Sequence, residues 1–138
     1  MDVVGVGLLA VITSVSVTTL LIGNEEKVFD IHISPLSGKA IMDAIGKEKL
    51  ARPSTHMLLS NAITVLGYKI SSIIIHSAKD SVFFAKMRMT GTVDSKRHLD
   101  LDCRPSDAIT LSIIDDIPLL VTSKLFNLVG QSQNLALL

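Results

Sequence analysis

Residues 98–108 read His-Leu-Asp-Leu-Asp-Cys-Arg-Pro-Ser-Asp-Ala, a strict alternation of polar and apolar positions that stops at a proline. Successive strand side chains point to opposite faces, so the alternation predicts a strand with Leu99, Leu101 and Cys103 turned to a core. His98, Asp100 and Asp102 then share the other face. Arg104-Pro105 ends the ladder, because proline has no N–H to donate. Ser106 or Asp107 is placed to cap a helix over 106–115, carried by Ala108, Ile109, Leu111, Ile113 and Ile114.

The remaining pattern is read in chain order. Residues 2–8 and 14–22 predict two strands joined by a short apolar connection, the second from the alternation Ser14-Val15-Ser16-Val17-Thr18. Gly23-Asn24-Glu25-Glu26 is a turn, and a strand restarts at Lys27 and runs to Ile33. Ser34-Pro35 opens a helix, with serine as N-cap and proline at the first position, where its missing N–H does no harm. That helix carries Ala40, Ile41, Ala44 and Ile45 inward and ends near Gly46. After a basic connector over 47–52, Pro53-Ser54-Thr55 starts a second helix with Leu59, Ala62, Ile63 and Leu66 as its apolar stripe, His56 in its first turn and Gly67 as its stop. Residues 68–76 and 82–89 flank Ala78-Lys79-Asp80-Ser81 and predict a hairpin, followed by a polar loop over 90–96. A short strand at 118–121 and a helical turn from Ser123 complete the order. The prediction is one α+β domain over 1–130, a mixed or antiparallel sheet built from hairpins with two to three packed helices, and a loose tail over 131–138.

Composition narrows the class. A chain of 138 residues that is 48% hydrophobic and 19% charged is an ordinary globular domain with a sizeable core. Only Asp2 is charged among the first 23 residues, yet no Lys or Arg precedes Lys27 and the texture is β-branched and alternating. Strands are therefore expected there, with no membrane contact. Thirteen basic residues balance thirteen acidic ones, so any contact with nucleic acid must come from a local patch or from metal ions. The single Cys103 excludes an internal disulfide and fits a reducing, cytoplasmic compartment. High strand content with exposed apolar faces favours a homo-oligomer.

Hard divalent cations such as Mg²⁺ or Mn²⁺ take oxygen ligands, and Asp100, Asp102 and Asp107 are the candidate donors. Arg52 and Arg104 are candidates to clamp a phosphate, and His56 to move a proton, the parts that phosphodiester hydrolysis needs. Each also has a plainer reading. Two aspartates on a strand can be its solvated side, Asp107 can serve the helix dipole, and Arg104 can bridge Asp100 or Asp102 across the turn. Lys47, Lys49, Lys86, Arg88, Lys96 and Arg97 form a phosphate patch only if the fold gathers them. Cys103 reads as a small core residue. Phosphate-loop, dinucleotide, Gly-x-Ser-x-Gly and His-Glu-x-x-His motifs are absent from the sequence.

Arg52-Pro53-Ser54-Thr55-His56-Met57-Leu58-Leu59, paired with Leu101-Asp102-Cys103-Arg104-Pro105-Ser106-Asp107-Ala108, resembles the signature of the bifunctional nuclease domain family. Ile74-Ile75-His76-Ser77-Ala78-Lys79-Asp80 and Phe83-Phe84-Ala85 resemble its central hairpin, and the resemblance runs over residues 2–126. It implies a compact α+β domain, often oligomeric, whose plant members act on both DNA and RNA. Two acidic positions of the pattern have become Ser37 and Met57 here. If those carboxylates hold a cation, the seat is weakened; if they serve helix N-termini, each loss costs about 0.3–1 kcal/mol. The leading expectation is metal-assisted phosphodiester hydrolysis of nucleic acid with His56, Asp102 and Asp107 as catalytic residues. The alternative is a non-catalytic oligomeric structural or regulatory module in which Arg104, Asp107 and His56 form a structural network.

Overall fold

A computed structural model describes residues 2–133. Its strands are β1 (Val3–Thr13), β2 (Thr18–Gly23), β3 (Lys27–Ile33), β4 (Tyr68–Lys79), β5 (Val82–Gly91), β6 (His98–Cys103), β7 (Leu119–Thr122) and β8 (Gln131–Ser132). Its helices are α1 (Pro35–Ile45), α2 (Thr55–Val65), α3 (Pro105–Asp115) and α4 (Ser123–Val129). The strands form one sheet in the order β6-β5-β4-β7-β1-β2-β3-β8. Two antiparallel meanders, β1-β2-β3 and β4-β5-β6, are joined by β7, which runs antiparallel to β1 and parallel to β4. The α+β class with a mixed sheet built from hairpins is therefore as the pattern predicts, with four helices rather than two to three.

A single core holds the layers together. Leu20, Ile22, Phe29, Ile31, Ile73, Ile75, Met87 and Val121 of the sheet meet Ile41 of α1, Ala108, Ile109 and Leu111 of α3, and Leu125 and Phe126 of α4. Helix α3 is the most deeply set. Its Ile109 and Leu111 are fully buried, each contributing about 1.5–3 kcal/mol by removal from water. Helix α2 fully buries only Ile63. Gly38 of α1 lies so close to Thr18 that a Cβ there would sit 2.4 Å from its Oγ1, so only glycine lets α1 approach β2.

Several expectations are corrected. The first strand continues through Leu9–Thr13 past a bulge between Leu8 and Ala10, so the apolar connection is strand. The alternating Ser14–Val17 is the turn: Ser14 N–H and Oγ–H both donate to the Val17 carbonyl, and Val15 is wholly exposed. Ile45 of α1 and Ala62 and Leu66 of α2 face solvent rather than the core. The β4–β5 turn is tight, with Asp80 and Ser81 at φ of 53° and 66°, and β5 runs on through Gly91 into the expected loop. Leu99 and Leu101 stay 47% and 42% exposed, because β6 is the edge of the sheet and nothing further covers its helix-side face. Instead of a loose tail from Gln131, the chain pairs Gln131 and Ser132 with Val28 and Lys27; residues 134–138 lie outside the described residues. Among the described residues no helix is long and apolar enough to cross a membrane.

Candidate functional site

Pro105 occupies the first position of α3, which makes Arg104 its N-cap, without a side-chain capping bond, and puts Asp107 at the third helical position. The helix begins one residue earlier than the sequence suggests, because proline's fixed φ is already helical there. Neither Ser106 nor Asp107 is the cap. On α2, the Ser54 hydroxyl accepts from the Met57 N–H at 3.2 Å, which fixes the start of the helix and places His56 one residue before Met57.

These two helix starts meet. Asp107 Oδ2 accepts from Arg104 Nε at 2.8 Å, and Oδ1 accepts from Arg104 Nη2 at 3.2 Å and from His56 Nε2 at 3.0 Å. Burial pushes the Asp107 carboxyl up, but the bonds from Arg104 and His56 outweigh it and hold it below the ordinary value. An ionised carboxylate only accepts, so His56 Nε2 carries the hydrogen, and in the neutral ring the lone pair sits on Nδ1. Among the described residues no buried side-chain nitrogen or oxygen lacks a partner. Nδ1, which has none, therefore keeps access to solvent. The arrangement grades from a largely enclosed imidazole to an open guanidinium, with Arg104 74% exposed.

His56 also lines a cleft of about 480 Å³ between α1, the connector, α2 and α3, together with Ala44, Met57, Thr110, Ile113 and Ile114. Asp107 does not line it. His56 thus takes part both in the charged network and in the lining of the cleft. A second link between the same helices runs from the Ser60 hydroxyl to Asp115 Oδ2 at 2.5 Å.

The other candidates are dispersed. Asp100 and Asp102 stand opposite Arg88 and Lys86 on the face of β6 turned away from the core, as the alternation predicts. Asp100 accepts from Arg88 Nε and Nη2 at 3.1 and 3.2 Å and pairs with Lys86 Nζ at 3.2 Å, and the Arg88 hydrogen bonds pull its pKa to about 2. Asp102 is exposed and enters no hydrogen bond or ion pair among the described residues. Arg52 is exposed in the connector, three residues before α2. The basic residues have separate engagements: Lys86 and Arg88 meet on Asp100, Lys47 lines the cleft, and Arg97 lies over the Tyr68 ring. The Cys103 thiol is pushed up to about 12 by burial and by the charges of Asp102 and Asp107, so it is inert as a nucleophile.

The expected cation ligands therefore do not converge. Both oxygens of Asp107 are taken by protein donors, Asp100 is taken by Arg88 and Lys86, and among the described residues no group of three or more His, Cys, Asp or Glu is assembled. The residues present do not fit a resident divalent cation. The two altered acidic positions share a place: Ser37 and Met57 are each three residues after a serine N-cap, as Asp107 is three after Arg104. An acid at that position serves the cap and the helix dipole. The cleft itself had no signal in the sequence, since its walls come from three separate helices.

The architecture defines a small α+β domain with a mixed sheet, and its polar centre is the network that joins two helix starts. Residues 19–134 match the model of the bifunctional nuclease domain, and the chain belongs to that family. It is 25% identical over 96 residues to bifunctional nuclease 2 of Oryza sativa subsp. japonica, covering 70% of this chain and 30% of that protein. Over 85 residues it is 24% identical to bifunctional nucleases 2 and 1 of Arabidopsis thaliana, covering 62% of this chain and 26% of each. The chain spans less than a third of the length of these relatives.

Proposed function

We propose that this chain hydrolyses phosphodiester bonds of DNA or RNA, with His56 as general base and Asp107 as its positioning residue. The observation that carries the reading is the His56 Nε2–Asp107 bond at 3.0 Å, which leaves Nδ1 without a hydrogen-bond partner among the described residues, on a residue that lines a cleft. A base must be held in one tautomer and aimed at the proton it removes, and a carboxylate behind the ring does both. Water gives a proton to Nδ1 as its oxygen bonds to phosphorus. The bond from phosphorus to the leaving sugar oxygen breaks, and that oxygen takes a proton from solvent. Arg104, anchored to Asp107 through Nε and Nη2, and Arg52 at the open connector are cationic contacts for neighbouring phosphates of the strand. Membership in a family whose named relatives are nucleases supports the choice of substrate. No step is assigned to a metal.

The test is cleavage of single-stranded DNA and RNA oligonucleotides by the protein and by His56→Gln, whose amide still donates to Asp107. The variant is expected to lose about 10²-fold or more in rate while melting within a few degrees of the parent. Equal rates would overturn the assignment. A second reading is favoured by the thin burial of α2: the His56–Asp107 and Ser60–Asp115 bonds are a clasp in a non-catalytic module. It predicts no cleavage by the parent and a loss of about 1–3 kcal/mol of stability in Asp107→Ala.

A further inference from the structure

We infer that the cleft between α1, α2 and α3 is a nucleobase subsite, which receives the base next to the phosphate presented to His56. The inference rests on the hydrolase reading and adds to it what the enzyme grips. At about 480 Å³ the cleft has the size of a small-molecule site. Its lining is mostly aliphatic, with Ala44 of α1, Met57 of α2, and Ile113 and Ile114 of α3, and the His56 imidazole is its one aromatic ring among the described residues. Its rim carries Lys47 and the carboxylates of Asp43 and Glu48, Asp43 being already paired with Lys39 at 2.8 Å. An alkyl chain would fill the walls but strip water from that rim without replacing its hydrogen bonds. A flat ring with a polar edge satisfies both. Its faces lie against isoleucine and the Met57 thioether, and its N–H donors point to the rim carboxylates, as cytosine's amino group does toward Glu or Asp. Enzymes that take a base out of its stack hold it between apolar side chains in this way. The position decides the role, because His56 lines the cleft, so a base seated there lies against the residue that the hydrolase reading makes the general base.

The test reads binding and needs no turnover. Affinity is measured by fluorescence anisotropy for a single-stranded phosphorothioate oligonucleotide and for the same oligonucleotide lacking one base, with the parent protein and with Ala44→Leu, which fills the cleft. The parent is expected to bind the complete oligonucleotide at least about tenfold more tightly, and Ala44→Leu to lose that preference while its affinity for the abasic one is unchanged. Equal affinity of the parent for the two, or equal weakening of both in Ala44→Leu, would overturn the subsite. Should Ala44→Leu fail to fold, the Met57 methyl resonance of the parent is followed while a nucleoside monophosphate is added: a saturable shift supports the subsite, and none refutes it. A base preference in a protein that cleaves nothing would sink the hydrolase reading alone. Cleavage without a base preference would sink the subsite alone.

Discussion

Asp100 and Asp107 both have a pKa lowered by hydrogen bonds from an arginine and a second basic residue, but burial opposes it more strongly at Asp107. The Asp100 carboxyl is pulled to about 2 by the Arg88 hydrogen bonds, with Lys86 adding to them against a burial penalty. Asp107 feels burial first, and Arg104 and His56 reverse it. Because the folded value of Asp100 lies below the unfolded value near 4, its stabilisation is fully present above about pH 4 and is lost as pH falls toward 2. The pair is half exposed, so the increment is about 0.2–1 kcal/mol. Urea unfolding of Asp100→Asn is expected to lack that part of the fall in stability between pH 4 and 2; a slope identical to the parent's would contradict the pairing. The face of Asp100 was legible because strand alternation is local. Its partners were not, since Lys86 and Arg88 reach it only through the β5–β6 register. The His56–Asp107 bond joins residues 51 apart and had no local signal at all.

At the scale of elements, α1 and α2 are each capped by a serine hydroxyl while α3 has no side-chain cap, and of these three only α3 carries an acid in its first turn. Ser34 caps α1 by accepting from the Ser37 N–H at 3.1 Å, and its hydroxyl also meets the Ser37 hydroxyl at 3.1 Å. A glutamate at 37 reaches back to the Ser34 N–H and meets the positive end of the helix. Ser37→Glu is therefore expected to raise stability by about 0.3–1 kcal/mol in thermal unfolding, and a lowered melting temperature would contradict the capping account. Helix starts were the readable part of the fold, because Ser34-Pro35 and Ser54 act on their own next few residues. The turn at Ser14–Val17 was misread because alternation there has no neighbouring strand to use it. Leu99 and Leu101 were misplaced because whether a strand is central or at an edge is decided by the whole sheet.

At the scale of the molecule, the sheet divides the three aspartates. Asp100 and Asp102 lie on the face turned away from the helices, while Asp107 is bound into the helix layer through His56. A cation seat needs its ligands on one side, and this topology does not supply them. Millimolar Mn²⁺ is accordingly expected to leave the melting temperature unchanged, since only a ligand that binds the folded state raises it. A rise that Asp107→Asn abolishes would restore the cation seat. What the fold does bring together is an imidazole that is bonded to a carboxylate and lines a cavity, and its chemistry turns on which of its nitrogens is free.

That is measured directly by the ¹⁵N resonances of His56 in the neutral ring. The structure predicts a protonated Nε2, hydrogen-bonded to Asp107, and an unprotonated Nδ1. A spectrum with the hydrogen on Nδ1 and the lone pair on Nε2 would contradict the account, since the open edge of the ring would then carry no base.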